Sequence, residues 1–282
     1  MKTQSPAFPL AVAQSLCRPH DIEGNLTRME PLVEQAAAGG ARLVLFSECG
    51  VTGYTADSPR IFAGDDAYKQ LQRMAEHRGI VIVAGFLEQD REGIRNTQGV
   101  FYPDGRVILQ HKTRPAAVEG GISGFVPGDG KQIVFEVEGL RCAIVICADT
   151  GIPDLYPNLA HDGVQLILIP TAGCGPRHLG YTEASLEDDL VFQRYLVDAE
   201  SVVFSRDGIS NCRAYRLAMA SCNHMADNGV DYFHPGHSMI VGASGELAAL
   251  IPGSFVFEHL RPRLAIGSIH PETPRIPGNR NG

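Results

Sequence analysis

Short apolar runs of β-forming residues alternate with longer stretches of helical periodicity along the chain, and their order predicts the architecture. Phe8–Gln14 (FPLAVAQ) reads as a strand. Behind it Asp21 is placed as an N-cap, and Ile22, Leu26, Met29, Leu32, Val33 and Ala36 recur at the spacing of one helix face. Gly39-Gly40 closes that helix, and Ala41–Phe46 (ARLVLF) follows as a buried strand. Asp65–His77 predicts a second helix with Gly79 at its end.

Three more strands are expected over Ile80–Leu87, Ile94–Tyr102 and Val107–Gln110, the last two joined as a hairpin by Pro103-Asp104-Gly105. Gln132–Val137, Arg141–Ile146 and Leu166–Ile169 read as strands, with a helix over Pro153–His161. Thr182–Ala199 has the pattern of an amphipathic helix whose Leu186, Leu190, Tyr195 and Leu196 would face the core or a dimer partner. Leu217–Cys222, Ser238–Val241, Leu247–Ile251 and Leu264–Ile269 complete the strands. This is the α/β class, with a mixed sheet or two sheets covered by helices. No linker, charge block or repeat divides the chain, so a single domain over residues 1–282 is expected.

Composition narrows the function. With 282 residues, 44% apolar and 20% charged, the chain can bury a large core and is not of the disordered class. A net charge of −8 argues against a nucleic-acid or anionic-membrane partner, and Arg261, Arg263, Arg275 and Arg280 are scattered among prolines rather than aligned. Gly163–Pro176, free of charged residues, is too short and too rich in Gly and Pro to span a bilayer, and the first residues lack a secretory pattern. A soluble cytoplasmic protein is the expectation. Seven cysteines without a CxxC pair point to reduced thiols. No glycine-rich nucleotide fingerprint is present.

Three apolar runs end on a residue that can carry chemistry: Glu48 in LVLFSECGVTGY, Lys112 in VILQHKTRP and Cys147 in CAIVICADTGIPD. Strand ends hold reactive groups rigidly while exposing them to loops. Each residue alone has a plain structural reading, a solvated loop glutamate or an inert packed thiol. Together they make a mechanism. A thiol needs a base, a buried carboxylate with a raised pKa can take its proton, and an ammonium can hold an oxyanion. Lysine is also scarce, occurring only as Lys2, Lys69, Lys112 and Lys131. A low-pKa Cys147 would react with iodoacetamide faster than the other thiols.

At these residues the chain resembles the carbon-nitrogen hydrolases of the nitrilase superfamily. The resemblance runs from AVAQ at Ala11 to the GHSMIVGASGEL segment at Gly236. AAAGGARLVLFSE with Gly53-Tyr54 is similar to the family's glutamate motif, His111-Lys112-Thr113 to its lysine motif, and GLRCAIVICADTGIPD to its cysteine motif. That likeness places Glu48 as general base, Lys112 as oxyanion holder and Cys147 as nucleophile. Glu119, ahead of FVPGDG, matches a second family glutamate that supports the lysine or the substrate. The resemblance implies a four-layer α-β-β-α sandwich and a thioester intermediate, with neither metal nor organic cofactor. It also implies a homodimer or higher homo-oligomer, with the Pro-rich tail from about residue 253 to 282 at a subunit contact.

Departures from the family pattern shape the substrate expectation. Ala148-Asp149-Thr150-Gly151 lacks the aromatic-acid pair of nitrilases and the arginine pair of carbamoyl-amino-acid amidohydrolases. Arg213-Ala214 and Asn223 keep the ends of an RA…N pattern whose middle is altered. A small amide or N-carbamoyl compound is the expected substrate, with N-acyl transfer or a catalytically idle binding module as alternatives. Candidate substrate contacts are Tyr54, Arg114, Ala148, Asp149, Arg177 and His178, though a solvated loop serves as well for the last two. Cys222, His224, His234 and His237 match no familiar zinc spacing and read as packing residues. Cys49 is expected to be structural. Cys142, five residues before Cys147, should face the opposite way if the strand stays extended.

Overall fold

A computed structural model describes residues 5–56, 65–176, 184–191, 193–194, 205–227, 232–253 and 260–276. The expected strands form, with shifted ends, and three short ones at Gly175–Pro176, Met225–Asp227 and Tyr232–Pro235 were not expected. In the first half the strands are β1 (Phe8–Gln14), β2 (Leu43–Phe46), β3 (Val81–Gln89), β4 (Ile94–Phe101) and β5 (Val107–His111). The second half supplies β6 (Val134–Val137), β7 (Leu140–Ile144), β8 (Leu166–Thr171), β9 (Gly175–Pro176), β10 (Ala218–Asn223) and β11 (Met225–Asp227). After them come β12 (Tyr232–Pro235), β13 (Ser238–Val241), β14 (Leu247–Ile251) and β15 (Arg263–Ile269). The helices are α1 (Ile22–Ala38), α2 (Asp65–Arg78), α3 (Ala117–Gly120), α4 (Leu155–His161) and α5 (Ser205–Tyr215).

Two six-stranded sheets result, ordered β15-β1-β2-β3-β4-β5 and β14-β13-β10-β8-β7-β6. Alternation along the strands sorts their side chains into three apolar layers. Leu10, Val12, Leu45 and Val83 of the first sheet meet Ile144, Leu168 and Ala220 of the second. On the other face of the first sheet, Ala11, Val44, Phe46 and Ile82 meet Leu26, Met29 and Leu32 of α1 and Leu71 and Met74 of α2. Behind the second sheet, Ala143, Ile167 and Met219 pack on Leu155 and Leu159 of α4 and Cys212 of α5. The order is therefore helix, sheet, sheet, helix, the four-layer sandwich. Asp21 caps α1 as expected, its carboxylate accepting from Gly24 N at 3.1 Å.

Strand direction gathers the chemistry at one end. β1, β2 and β3 run parallel, and β5, antiparallel to an antiparallel neighbour, runs the same way. Glu48 and Lys112 follow the C-terminal ends of β2 and β5, while Asn96 lies near the start of the opposed β4. In the second sheet β7, β8 and β10 are parallel, and Cys147 and His224 follow two of their C-terminal ends. A small sheet, β11-β12-β9, continues beyond β8 and β10.

The structure alters several expectations. Asp154 takes a φ of 54°, so the helix expected from Pro153 begins at Leu155. Cys142 and Cys147 lie in the same layer between the sheets rather than on opposite faces. The parity argument fails because the chain leaves β7 at Ile144 and turns at Cys147, whose φ is 47°. The strand expected at Leu264–Ile269, within the tail segment, does form, as the edge strand β15 paired with β1 from Phe8↔Ile269 to Gln14↔Arg263. Of the segment Thr182–Ala199, Ala184–Glu187 forms a 3₁₀ turn and Leu190 is 82% exposed, not packed in the core. Tyr195 and Leu196 lie outside the described residues. No helix among the described residues is long and apolar enough to cross a membrane.

Candidate active site

The turn that carries Glu48 folds back over β3. Val51 N donates to Gly85 O at 2.9 Å, and Gly53 N to Cys49 O at 2.8 Å. Gly85 makes this approach possible, because a Cβ there would fall 2.5 Å from Cys49 N and 2.8 Å from Ser47 O. Cys49, at a φ of 49°, is buried with Tyr54, Leu87, Ile122 and Ala172, which fits the structural role expected of it.

Glu48 and Lys112 are fully buried and meet at 2.6 Å through Oε1 and Nζ. The same nitrogen lies 2.7 Å from Glu119 Oε1. Asn96 Nδ2 donates to those same two oxygens, at 2.8 Å to Glu48 and 2.7 Å to Glu119. Glu119 Oε2 accepts from Tyr54 OH at 3.0 Å and from Ala116 N at 2.9 Å. Glu119 thus has four donors over both oxygens, whereas Glu48 has its side-chain donors on Oε1 and a buried Oε2 with no partner.

This asymmetry separates two carboxyls around one ammonium. Burial pushes Glu48 up, and the charges and donors of Lys112 and Asn96 only partly offset it. Burial also acts on Glu119, but there Lys112 and Asn96 prevail and hold it below the usual carboxylate range. Burial alone would lower Lys112; the charges of Glu48 and Glu119 reverse that and keep it protonated.

Cys147 opens a 3₁₀ turn, Cys147–Gly151, at the end of the β7 segment. Its φ of 47° is a left-handed conformation that a residue with a side chain seldom adopts, and such strain collects at functional turns. Burial and the Glu48 carboxylate push its thiol up, against the opposing pull of Lys112 and the Ala172 amide. The group is thus held toward the thiol form beside the Glu48 carboxyl, in keeping with the expectation that Cys147 needs a base. Two residues on, Asp149 accepts from Thr113 N at 3.1 Å and from Arg114 N at 2.7 Å. Those amides follow Lys112, so the turn of the second sheet is tied to the strand end of the first.

The other proposed contacts fall at varied places. The Tyr54 hydroxyl is engaged by Glu119, and its ring centroid is 5.6 Å from Lys112 Nζ. The Arg114 side chain is exposed and donates to Gly151 O, bracing the cysteine turn. Asp149 is buried with its carboxylate on the Thr113 and Arg114 amides, and Ala148 beside it is half-buried. Cys174 is exposed, while Arg177 and His178 lie outside the described residues.

Two site residues escaped sequence reasoning. Asn96 belongs to the polar run Arg95-Asn96-Thr97-Gln98, buried inside a strand, and that run was the available signal. His224 was read only as packing, but its Nδ1 lies 3.1 Å from the main-chain oxygen of Glu48. Its ring and that of His234 stand edge-on at 4.9 Å, and both adjoin Tyr54. Among the described residues no group of three or more His, Cys, Asp or Glu is arranged to hold a metal. Asn223, from the RA…N pattern, is buried and joins Thr171, Gly173 and Gly236 through its amide.

A two-sheet sandwich with a thiol, a lysine and paired carboxyls buried at the strand ends is the arrangement of a class of α/β hydrolases. The chain belongs to the carbon-nitrogen hydrolase family, whose model matches residues 10–254. Omega-amidase NIT2 of Xenopus tropicalis is 27% identical over 258 residues, covering 86% of this chain and 83% of that protein. The glutamine-dependent NAD(+) synthetase of Acinetobacter baylyi is 27% identical over 227 residues, 72% of this chain but only 41% of that longer protein. Among solved structures, a variant of the nitrilase-superfamily amidase from Nesterenkonia sp. AN1 superposes with a TM-score of 0.73 at 22% identity, covering 99% of this chain and 96% of that one. Another variant of that amidase was solved in complex with butyramide, with a TM-score of 0.69 and 23% identity over 93% of this chain and 91% of that one.

Proposed function

We propose that the protein hydrolyses the C–N bond of a small aliphatic amide through a Cys147 thioester. The observation that carries this reading is the unequal pair of carboxyls on Lys112, with Glu119 saturated by donors and Glu48, whose charge acts on Cys147, left with an unpartnered Oε2. Environments that push two carboxyls apart assign them different roles. Glu119 is the fixed anion that holds Lys112, and Glu48 is the base.

Glu48 takes the thiol proton as Cys147 Sγ attacks the carbonyl carbon, so no charged thiolate accumulates in a buried site. Lys112 and the Ala148 N–H, at the N-terminal end of the 3₁₀ turn, hold the oxyanion. As the C–N bond breaks, Glu48 returns the proton to the nitrogen, which leaves as ammonia. Glu48 then takes a proton from water as its oxygen attacks the thioester carbon. Collapse releases the carboxylic acid, and the proton returns to the Cys147 sulfur. The sum is amide plus water to acid plus ammonia.

The names of the relatives, ω-amidases over most of their length and an amidase complexed with butyramide, favour amides over N-carbamoyl compounds. The test is ammonia release from aliphatic amides, ω-amides, carbamoyl amines and nitriles, with wild type beside Cys147→Ala and Lys112→Ala. Turnover of an amide that disappears in both variants is expected. Turnover that survives Cys147→Ala sinks the nucleophile assignment, and preference for carbamoyl amines overturns the substrate class.

A further inference from the structure

We infer that Asn96 is a positioning residue that holds Glu48 by Oε1, so that Oε2 alone is presented to the Cys147 thiol. The inference rests on the catalytic reading above and deepens it.

Asn96 and Lys112 form a closed array with the two carboxyls. Each nitrogen, Asn96 Nδ2 and Lys112 Nζ, reaches both Glu48 Oε1 and Glu119 Oε1, at 2.6 to 2.8 Å. Carboxylate oxygens in this array act as acceptors, so they fix the amide with its nitrogen toward them. Asn96 Oδ1 then faces away, buried and without a partner. An unpaired buried carbonyl is unfavourable, and packing alone would favour an apolar side chain of similar size. What the amide supplies is a neutral donor between two like charges.

Neutrality matters. A second cation in this place would hold both carboxyls ionised and leave Glu48 too weak a base for a thiol. A purely apolar side chain would leave the two carboxyls to share one ammonium. An uncharged donor steadies both oxygens while adding no charge. The main chain of Asn96 adds a second restraint, because its carbonyl accepts from Lys112 N at 2.8 Å and extends the β4–β5 ladder by one residue. Asn96 thereby sets the lysine and both carboxyls from one point on a rigid strand, the arrangement expected of a supporting residue.

The charged and titratable groups around Glu48 come from several elements. They are Cys49 and Tyr54 from its own loop, Lys112 after β5, Glu119 from α3, Cys147 after β7 and His224 after β10. Changing Asn96 leaves each of these residues in place but removes a donor from Glu119 as well as from Glu48, so a shift in the acid limb of the pH profile reports on the donor the two carboxyls share.

The experiment compares wild type with Asn96→Leu and Asn96→Asp. It measures kcat and KM for the amide turned over and the pH dependence of iodoacetamide alkylation of Cys147, followed by peptide mass. Loss of the donor should lower kcat by about 100-fold with KM within about threefold, and raise the acid limb of both profiles by about half a pH unit or more. Asn96→Asp, which adds a carboxyl, should raise the limb further. If Asn96→Leu does not fold, the same limbs are read on Asn96→Ser, which leaves the strand ladder in place. An unmoved limb, with activity falling only as folded protein falls by circular dichroism, overturns the inference. Alkylation needs no substrate, so silence of wild type on every amide would fail the hydrolytic reading while this limb still tests Asn96.

Discussion

Asp149 Oδ1 lies 3.1 Å from the main-chain nitrogen of Thr113, and this contact joins two sheets that share no strand. Asp149 stands two residues after Cys147 and Thr113 one after Lys112, so the contact ties the turn bearing the thiol to the strand end bearing the ammonium. Asp149→Ala is expected to cost about 1–3 kcal/mol in unfolding free energy through the unpaired amides. The larger effect should be on kcat, by about two orders of magnitude, because a displaced catalytic group loses rate steeply with distance. Denaturant unfolding and steady-state kinetics on one preparation check this. Unchanged kcat in a folded variant would remove Asp149 from the positioning of the site.

Glu48 and Glu119 should respond oppositely to the same substitution. Glu48 is held above its free value, so its ionised form opposes folding at neutral pH; Glu48→Gln should therefore leave stability unchanged or raise it. Glu119 is held below, so its charge contributes stability that is present at neutral pH and lost as pH falls through the folded value. Glu119→Gln, facing four donors, should lower the unfolding midpoint. Glu48→Gln should reduce kcat by about 10²–10⁴-fold. Thermal unfolding at pH 7 separates the two variants, and equal destabilisation would contradict the division of roles.

Acid should weaken the fold before the carboxylates reach their usual range. Burial lowers His224 to about 4, His234 to about 3 and His237 to about 4, from a free value of 6.5. The unfolded chain binds these protons as pH falls from 6.5, while the folded chain resists until about 4, so stability declines across that window. Asp149, raised to about 6 by burial, acts in the opposite sense and offsets part of the loss. Urea unfolding at pH 7.5 and pH 5 should show lower stability at the acid point (~1 kcal/mol or more). His237→Asn should flatten the dependence, because burial is the whole cause of the His237 shift. A pH-independent midpoint would show that these histidines are not held neutral.

Gly85 carries a steric prediction. An alanine Cβ would press on Cys49 N and Ser47 O, backbone atoms that cannot rotate away, and would displace the turn bearing Glu48. Gly85→Ala should cost about 1–3 kcal/mol and reduce kcat more than it raises KM. Calorimetry with steady-state kinetics decides it; wild-type kcat would mean that the turn shifts without moving Glu48.

Much of the architecture was legible because binary pattern survives translation into structure. The apolar face of Leu26, Met29, Leu32 and Val33 became the covering of the first sheet, and the strand runs from Phe8, Ala41 and Leu217 became central strands. Where expectation failed, a backbone event not written in periodicity intervened. The left-handed turn at Cys147 reversed the parity inferred from Cys142, and the φ of Asp154 moved the start of a helix. His224 failed for another reason: an isolated histidine near other histidines looks the same whether it packs idly or touches the Glu48 main chain.

What the sequence by itself determined was the inventory and order of the groups proposed to do the chemistry. Polar residues at the ends of apolar runs named Glu48, Lys112 and Cys147, and the family motifs placed Glu119 beside them, because strand ends are local features set by nearby residues. Only the tertiary structure decided how differently their surroundings treat them. Glu48 and Glu119 are the same amino acid, and nothing local to either reveals that four donors converge on one while an oxygen of the other is left bare. Their difference comes from Tyr54, Asn96, Lys112 and the Ala116 amide, brought together from separate elements, and from burial that makes each missing donor count.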